Sequence, residues 1–151
     1  MFSNPLSAFH KGQKIPFGPV SVSKEEIIRF AEKYDPIYFH LDEEAAKTSM
    51  LNGLAASGFH TCSLTMRMLC DAYLLQSTSQ GAPGARDIRW HAPVRPDDTL
   101  HGFSTVLTSR ISQSRPELFL VEFLHETLNQ SDELVLSMKN TGFFKIKAEQ
   151  S

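Results

Sequence analysis

Cysteine is scarce in this chain, with two among 151 residues. Cys62 and Cys70 stand eight positions apart on what reads as one helix. At ~1.5 Å rise per residue they lie about 12 Å from each other. That distance excludes a disulfide between them, and buried free thiols are expected. A basic surplus is also missing: 15 Lys and Arg stand against 17 Asp and Glu, for a net charge of -2. Nothing in that balance draws nucleic acid or an anionic membrane as a partner. The apolar runs fall far short of the ~20 residues a membrane span needs. The N-terminus lacks the charged-then-apolar order of a signal peptide, so a cytoplasmic setting is the default expectation. A Gly-rich dinucleotide fingerprint, a phosphate loop and a His-Glu-x-x-His motif are all lacking. No cofactor and no metal site are therefore expected. Neither an internal repeat nor a low-complexity tract is present.

What is there is an ordinary globular composition, 41% apolar and 21% charged, which argues against disorder. A single domain over residues 1–151 is expected. At this length about two thirds of the extended-chain surface can be hidden. Residues 9 to 22 are an extended segment broken by Gly and Pro, one or two short edge strands. Ser23 and Glu26 form a capping box before a helix whose apolar face carries Ile27, Phe30, Ala31 and Tyr34. Asp35-Pro36 stops that helix, because a residue before proline is pushed out of the helical region. Asp42 reads as the N-cap of a short helix, with Glu43 and Glu44 favoured in its first turn. Asn52-Gly53 breaks it.

Gly58 to about Gln76 reads as a helix, with Phe59, Cys62, Met66, Leu69, Cys70 and Tyr73 in one stripe. Further apolar residues cover much of the remainder, and a helix apolar nearly all round is a buried one. The period then changes. Ile88, Trp90 and Ala92 alternate, as do His101, Phe103, Thr105, Leu107 and Ile111. Leu118 to Leu128 places Phe119, Val121, Phe123 and Thr127 on one face, and Leu134 to Ile146 makes a fourth long strand. Four strands after one central helix imply an α+β fold, an antiparallel sheet packed on a hydrophobic helix.

The candidate chemistry lies between Tyr34 and His60. Taken alone, Asp35 is a helix stop and His40 a hydrogen-bonded histidine. Their setting gives them more weight. Asp35 is followed five positions later by His40-Leu41-Asp42, and Ser57-Gly58 opens the long helix. A second feature is Pro93-Val94-Arg95-Pro96-Asp97-Asp98-Thr99-Leu100 ahead of a long strand. On these residues the chain resembles the MaoC-like hydratases and dehydratases, the (R)-specific enoyl-CoA hydratases among them, over nearly its whole length. The resemblance implies the hot-dog fold, a curled antiparallel sheet around a long central α-helix. It implies Asp35 and His40 as the catalytic pair, and the Gly58 N–H as the donor to a thioester oxygen. It also implies a homodimer or dimer of dimers, edge to edge, acting on an acyl-CoA or acyl-carrier thioester. Coenzyme A enters only as part of the substrate. The chain departs from the family pattern at Pro36, at Tyr38-Phe39 before His40, at Ser57 where histidine is common, and at Met66 where some members have serine.

The chemistry fits these residue types. Hydrating a 2-enoyl thioester needs a water at the β-carbon and a proton at the α-carbon. A carboxylate and an imidazole can hold and shuttle those protons. Charge thrown onto the thioester oxygen is met by the unpaired N–H groups of a helix N-terminus. Glycine at position 58 lets the backbone come close. Tyr38, Phe39 and Phe59 are candidates for the pocket wall, with Ile37 helping to exclude water. Ser57 is read as a cap or substrate contact, because its flanks do not make a nucleophile elbow. His60 is read as a satisfied helix residue, and His91 and His101 show no metal-ligand spacing. Arg86, Arg89 and Arg95 are candidates for the phosphates of coenzyme A, with solvated strand ends as the alternative. Two rival readings stand beside this one. A hot-dog acyl-CoA thioesterase would need an acid near the start of the central helix, where Asp71 is poorly placed. A non-catalytic acyl-CoA-binding protein would have no need of both Asp35 and His40.

Overall fold

The computed structural model describes residues 1–147. Along the chain run α1 (Pro5–Ala8), β1 (Lys14–Ser21), α2 (Lys24–Tyr34), a 3-10 turn (Tyr38–His40), α3 (Glu43–Ala46) and α4 (Gly58–Ala72). A second 3-10 turn (Leu74–Gln76), β2 (Ala85–Trp90), β3 (Thr99–Ile111), β4 (Leu118–Leu128) and β5 (Leu134–Lys145) complete it. The five strands form one sheet in the order β1-β3-β4-β5-β2. Every pairing is antiparallel. α4 packs across one face of this sheet, so the α+β expectation holds.

Local signals explain several boundaries. The Ser23 hydroxyl accepts the Glu26 N–H at 3.1 Å and starts α2, as a capping serine does. The Asp42 carboxylate accepts the Ala45 N–H at 3.0 Å and starts α3. Asp35 closes α2 in a non-helical conformation, its N–H still bonded to Ala31 O at 2.9 Å. Of the apolar face read for α2, Ile27 and Ala31 are buried, whereas Tyr34 at the last turn is exposed.

The sheet's inner face comes mainly from β3 and β4. Phe119, Val121, Phe123, His125 and Thr127 of β4 are all buried, an alternation with the strand period of two. In β3 the buried face is Leu100, Gly102, Ser104 and Val106. His101, Phe103 and Thr105 therefore mark the outer face, where Phe103 is exposed, and the irregularity between Val106 and Thr108 returns Ile111 to the face of Phe119, exposed at the strand's end. Crowding acts at Gly102: a Cβ there would meet Glu126 O at 2.0 Å and the Phe17 ring at 2.6 Å. Gly102 is small because the neighbouring strands already fill the space.

Three further expectations need correction. α4 is not buried all round: Thr61, Thr65, Met68 and Leu69 face the sheet, while Phe59 and Met66 are exposed. Cys62 and Cys70 are free thiols but only half-buried. β2 is not a long strand. It has six residues, sits at the sheet's edge and carries an irregularity at Asp87, whose φ is 52°. The N-terminus supplies a feature that periodicity did not mark. Phe9 follows α1 and is 1% exposed. Its ring lies 4.6 Å from Phe144 and 5.6 Å from Phe123, closing one end of the core.

Candidate active site

Three chain breaks meet at one cleft. α2 ends at Asp35, the 3-10 turn delivers His40, and α4 begins at Gly58. All three residues line a cleft of about 490 Å³ whose walls are mainly apolar. His40 is 6% exposed. Its Nδ1 lies 2.6 Å from Ala55 O. A carbonyl only accepts, so Nδ1 carries the proton and donates, and in the neutral ring Nε2 is left with a lone pair. That Nε2 lies 3.4 Å from Asp35 Oδ2. Two acceptors thus face each other, a spacing suited to a molecule that can give a proton to either.

Ser57 completes the group. Its side chain is fully buried, and its hydroxyl donates to Asp35 Oδ2 at 2.7 Å. The expected capping bond is absent: Ser57 is the N-cap residue of α4 but makes no side-chain bond to the helix. Its hydroxyl proton points at the carboxylate and not at an imidazole. A Ser-His-Asp hydrolase needs the opposite order, serine to histidine to acid.

Residues 8–118 match the sequence pattern of the family described as the MaoC like domain. The chain belongs to this MaoC-like family. A MaoC-like dehydratase from Rhodospirillum rubrum is 37% identical, with a TM-score of 0.87 over 95% of this chain and 97% of that one. An uncharacterised protein of Bacillus subtilis, YdeM, is 32% identical over 84% of this chain and 89% of its own. An unliganded (R)-hydratase from Pseudomonas aeruginosa, 18% identical, has a TM-score of 0.74 over 96% and 90% of the two chains, a likeness of fold. The architecture of this MaoC-like protein is thus the hot-dog arrangement of sheet and helix.

Gly58 is held to glycine by a neighbour that its local sequence does not reveal. A Cβ there would lie 2.5 Å from the Trp90 indole. The indole Nε1–H donates to Gly58 O at 2.9 Å, and the Phe59 ring meets it edge-on at 5.6 Å. Trp90 and Phe59 both line the cleft. The N–H groups of the first turn of α4 have no intrahelical acceptor, and the helix dipole is positive there.

The other two wall candidates are placed differently. The tight turn over Tyr38–His40 sends His40 inward and leaves Tyr38 exposed. Phe39 packs edge-on against the His40 ring at 4.6 Å and buttresses it from behind. Neither Tyr38 nor Phe39 lines the cleft; Leu51, Trp90 and Val94 do. The sequence marked Trp90 as part of an alternating strand and Val94 as part of a turn. Trp90 meets Gly58 and Val94 meets Ala56, long-range contacts with no local signal.

His60 is not the satisfied helix residue that was expected. Its buried Nδ1 has no partner, and the ring stacks on Phe30 at 4.6 Å. Burial pushes its pKa down against the pull of Glu26. Of the three arginines considered for coenzyme A phosphates, Arg86 pairs with Glu122 at 3.0 Å. Arg95 turns inward, onto Leu51 O and Leu54 O. Arg89 is exposed on β2. Asp71 is exposed and paired with Arg67 at 3.0 Å, away from the cleft. Burial pushes the Cys62 thiol up, which makes it a poor nucleophile. Among the described residues, no group of three or more His, Cys, Asp or Glu is placed to hold a metal ion. No described helix is long and apolar enough to cross a membrane.

Proposed function

We propose that this protein is a hydro-lyase that adds water to a 2-enoyl-CoA or acyl-carrier thioester to give the (R)-3-hydroxyacyl thioester, or runs the reverse dehydration. The observation that carries the reading is the approach of Asp35 Oδ2 and His40 Nε2 to 3.4 Å, in a cleft shared with the N-terminus of α4. A water held by both acceptors gives its hydroxyl to the β-carbon. The proton it releases passes to the pair, and the pair returns one to the α-carbon. Charge moving onto the thioester oxygen is met by the Gly58 N–H and the dipole of α4. The apolar wall strengthens those interactions by excluding water. Ser57 keeps one oxygen of Asp35 pointed at His40.

The functional unit in this proposal is a homodimer of single hot-dog domains. β2 is an open edge of the sheet, and exposed Trp90 and Phe59 lie beside it at the cleft. Paired edges would leave each cleft beside the partner. A thioesterase reading has no comparable support, since Asp71 is engaged elsewhere.

The test is hydration of crotonyl-CoA and longer 2-enoyl-CoA thioesters, followed by loss of the conjugated absorbance. Asp35→Asn and His40→Ala are each expected to reduce turnover on the order of 10³-fold, within the range for a lost acid or base. Near-full activity in either folded variant sinks the assignment. Tight acyl-CoA binding without turnover at any chain length would favour the binding-protein reading.

A further inference from the structure

The segment from Lys47 to Ser57 joins α3 to α4 and holds Ala55, whose carbonyl fixes the proton on His40 Nδ1. This segment has little regular structure of its own. Asn52 and Gly53 both sit at positive φ, 55° and 144°. Something outside it must hold it still. Ala56 N–H donates to Val94 O at 2.9 Å. The next residue, Arg95, donates from Nη1 to Leu54 O at 3.2 Å and from Nη2 to Leu51 O. One guanidinium thus grips two carbonyls on the segment that presents Ala55, a forked contact that an ammonium cannot reproduce. Gly53 lies close under it, where a Cβ would stand 3.2 Å from Arg95 Nη1.

Arg95 is itself anchored. Its backbone N–H donates to Asp98 Oδ2 at 2.8 Å, and Asp98 Oδ1 accepts from Gln130 Nε2 at 2.9 Å. Asp98 is 7% exposed. The turn from Pro93 to Asp98 is therefore a fixed post, and the guanidinium is the arm reaching from it. Arg95 does not line the cleft. Its reach ends at the backbone behind His40.

We infer that Arg95 is a positioning residue: it holds the Leu51–Leu54 backbone so that the Ala55 carbonyl keeps the proton of neutral His40 on Nδ1 and the lone pair on Nε2. The inference rests on the proposed hydratase chemistry for its effect on turnover, and on geometry alone for its effect on the ring. Both are measured on the full chain. Side-chain 15N resonances of His40 are recorded above about pH 8, where an ordinary imidazole is neutral. Turnover on crotonyl-CoA is recorded beside them.

Wild-type protein is expected to show a protonated Nδ1 and an unprotonated Nε2. In Arg95→Ala the two signals are expected to move toward a tautomeric average, and kcat to fall about 30-fold with KM changed less than about twofold. Millimolar guanidinium is expected to restore part of the lost kcat. Arg95→Lys, which keeps charge and stem, is expected to fall between wild type and Arg95→Ala, and serves if the alanine variant does not fold. A folded Arg95 variant with the wild-type tautomer signature and wild-type kcat overturns the inference. If wild-type protein shows no turnover but Arg95→Ala still loses the Nδ1 signature, the hydratase reading fails and the positioning role stands.

Discussion

This molecule contains two buried histidines joined to other polar side chains, and they are built to opposite ends. His40 sits in the cleft, its Nδ1–H held by Ala55 O while Nε2 faces Asp35 across 3.4 Å. His125 sits on the inner face of β4 in a closed chain. The Tyr73 hydroxyl donates to Ser104 Oγ at 3.0 Å, Ser104 donates to His125 Nδ1 at 2.8 Å, and His125 Nε2–H donates to Asn140 Oδ1 at 2.9 Å. Each donor on that path meets one acceptor. Around His125 both ring nitrogens have a partner; at His40 two acceptors face each other in the cleft. A buried histidine with every bond met inside the protein is a structural part; in the proposed chemistry the lone pair left over on His40 is the reactive one.

That contrast can be broken most forcefully by deleting each ring in turn. His40→Ala is expected to cost on the order of 10³-fold in turnover and, in denaturant unfolding, at most about 1 kcal/mol. His125→Ala is expected to do the reverse. It leaves Ser104 and Asn140 short of partners and opens a cavity, for a loss of about 3 kcal/mol of stability. Turnover per folded molecule should then be close to wild type. If both variants lose activity and stability alike, the distinction fails.

Acid sharpens it next. Burial pushes the His125 pKa down to about 4 from an ordinary 6.5, against the opposing Asn140 hydrogen bond. Above about pH 6.5 the ring is neutral in both folded and unfolded chains, and its contribution to stability is complete. Between about pH 6.5 and 4 the unfolded chain takes a proton that the folded one refuses. Stability therefore falls over that window, by about 3 kcal/mol from this group, and levels off below it. Urea midpoints across the window should slope in wild type and lose that component in His125→Gln.

The smallest expected effect is at Ser57. Ser57→Ala removes the hydroxyl that donates to Asp35 Oδ2 at 2.7 Å but leaves both acceptors in place. Turnover should drop about tenfold with little change in KM, in line with one hydrogen bond to a charged group. A loss as large as that of Asp35→Asn would give Ser57 a direct part in the chemistry.

Much of this was legible in the residues because it is local. Ser23 and Asp42 announce their helices by side-chain caps, Asp35-Pro36 announces its exit, and β4 alternates cleanly from Phe119 to Thr127. The resemblance placed Asp35, His40 and Gly58 on three separate breaks, and the chain folds those breaks together. What escaped notice depends on contacts between distant segments. Trp90 reaches Gly58 across 32 positions and Arg95 reaches Leu54 across 41. In β3 the local rule misled, because the close approach of β1 and β4 leaves room only for glycine at Gly102, and an irregularity after Val106 changes which residues face inward. In α4 the stripe read from Phe59 to Tyr73 divides: Leu69 and Tyr73 are core, while Phe59 and Met66 are exposed. His60 read as satisfied because nothing in a single helix shows that Phe30 lies flat against its ring.

The contact between Trp90 and Gly58 has an optical consequence. Trp90 is the single tryptophan of the chain, and it lies at the cleft wall, 46% exposed. The protein's entire indole emission therefore originates at the candidate active site. Any acyl group that enters the cleft and displaces water from that ring changes the only tryptophan signal there is. The fold thus carries its own fluorophore where occupancy has to be read, and neither a dye nor turnover is needed to follow it.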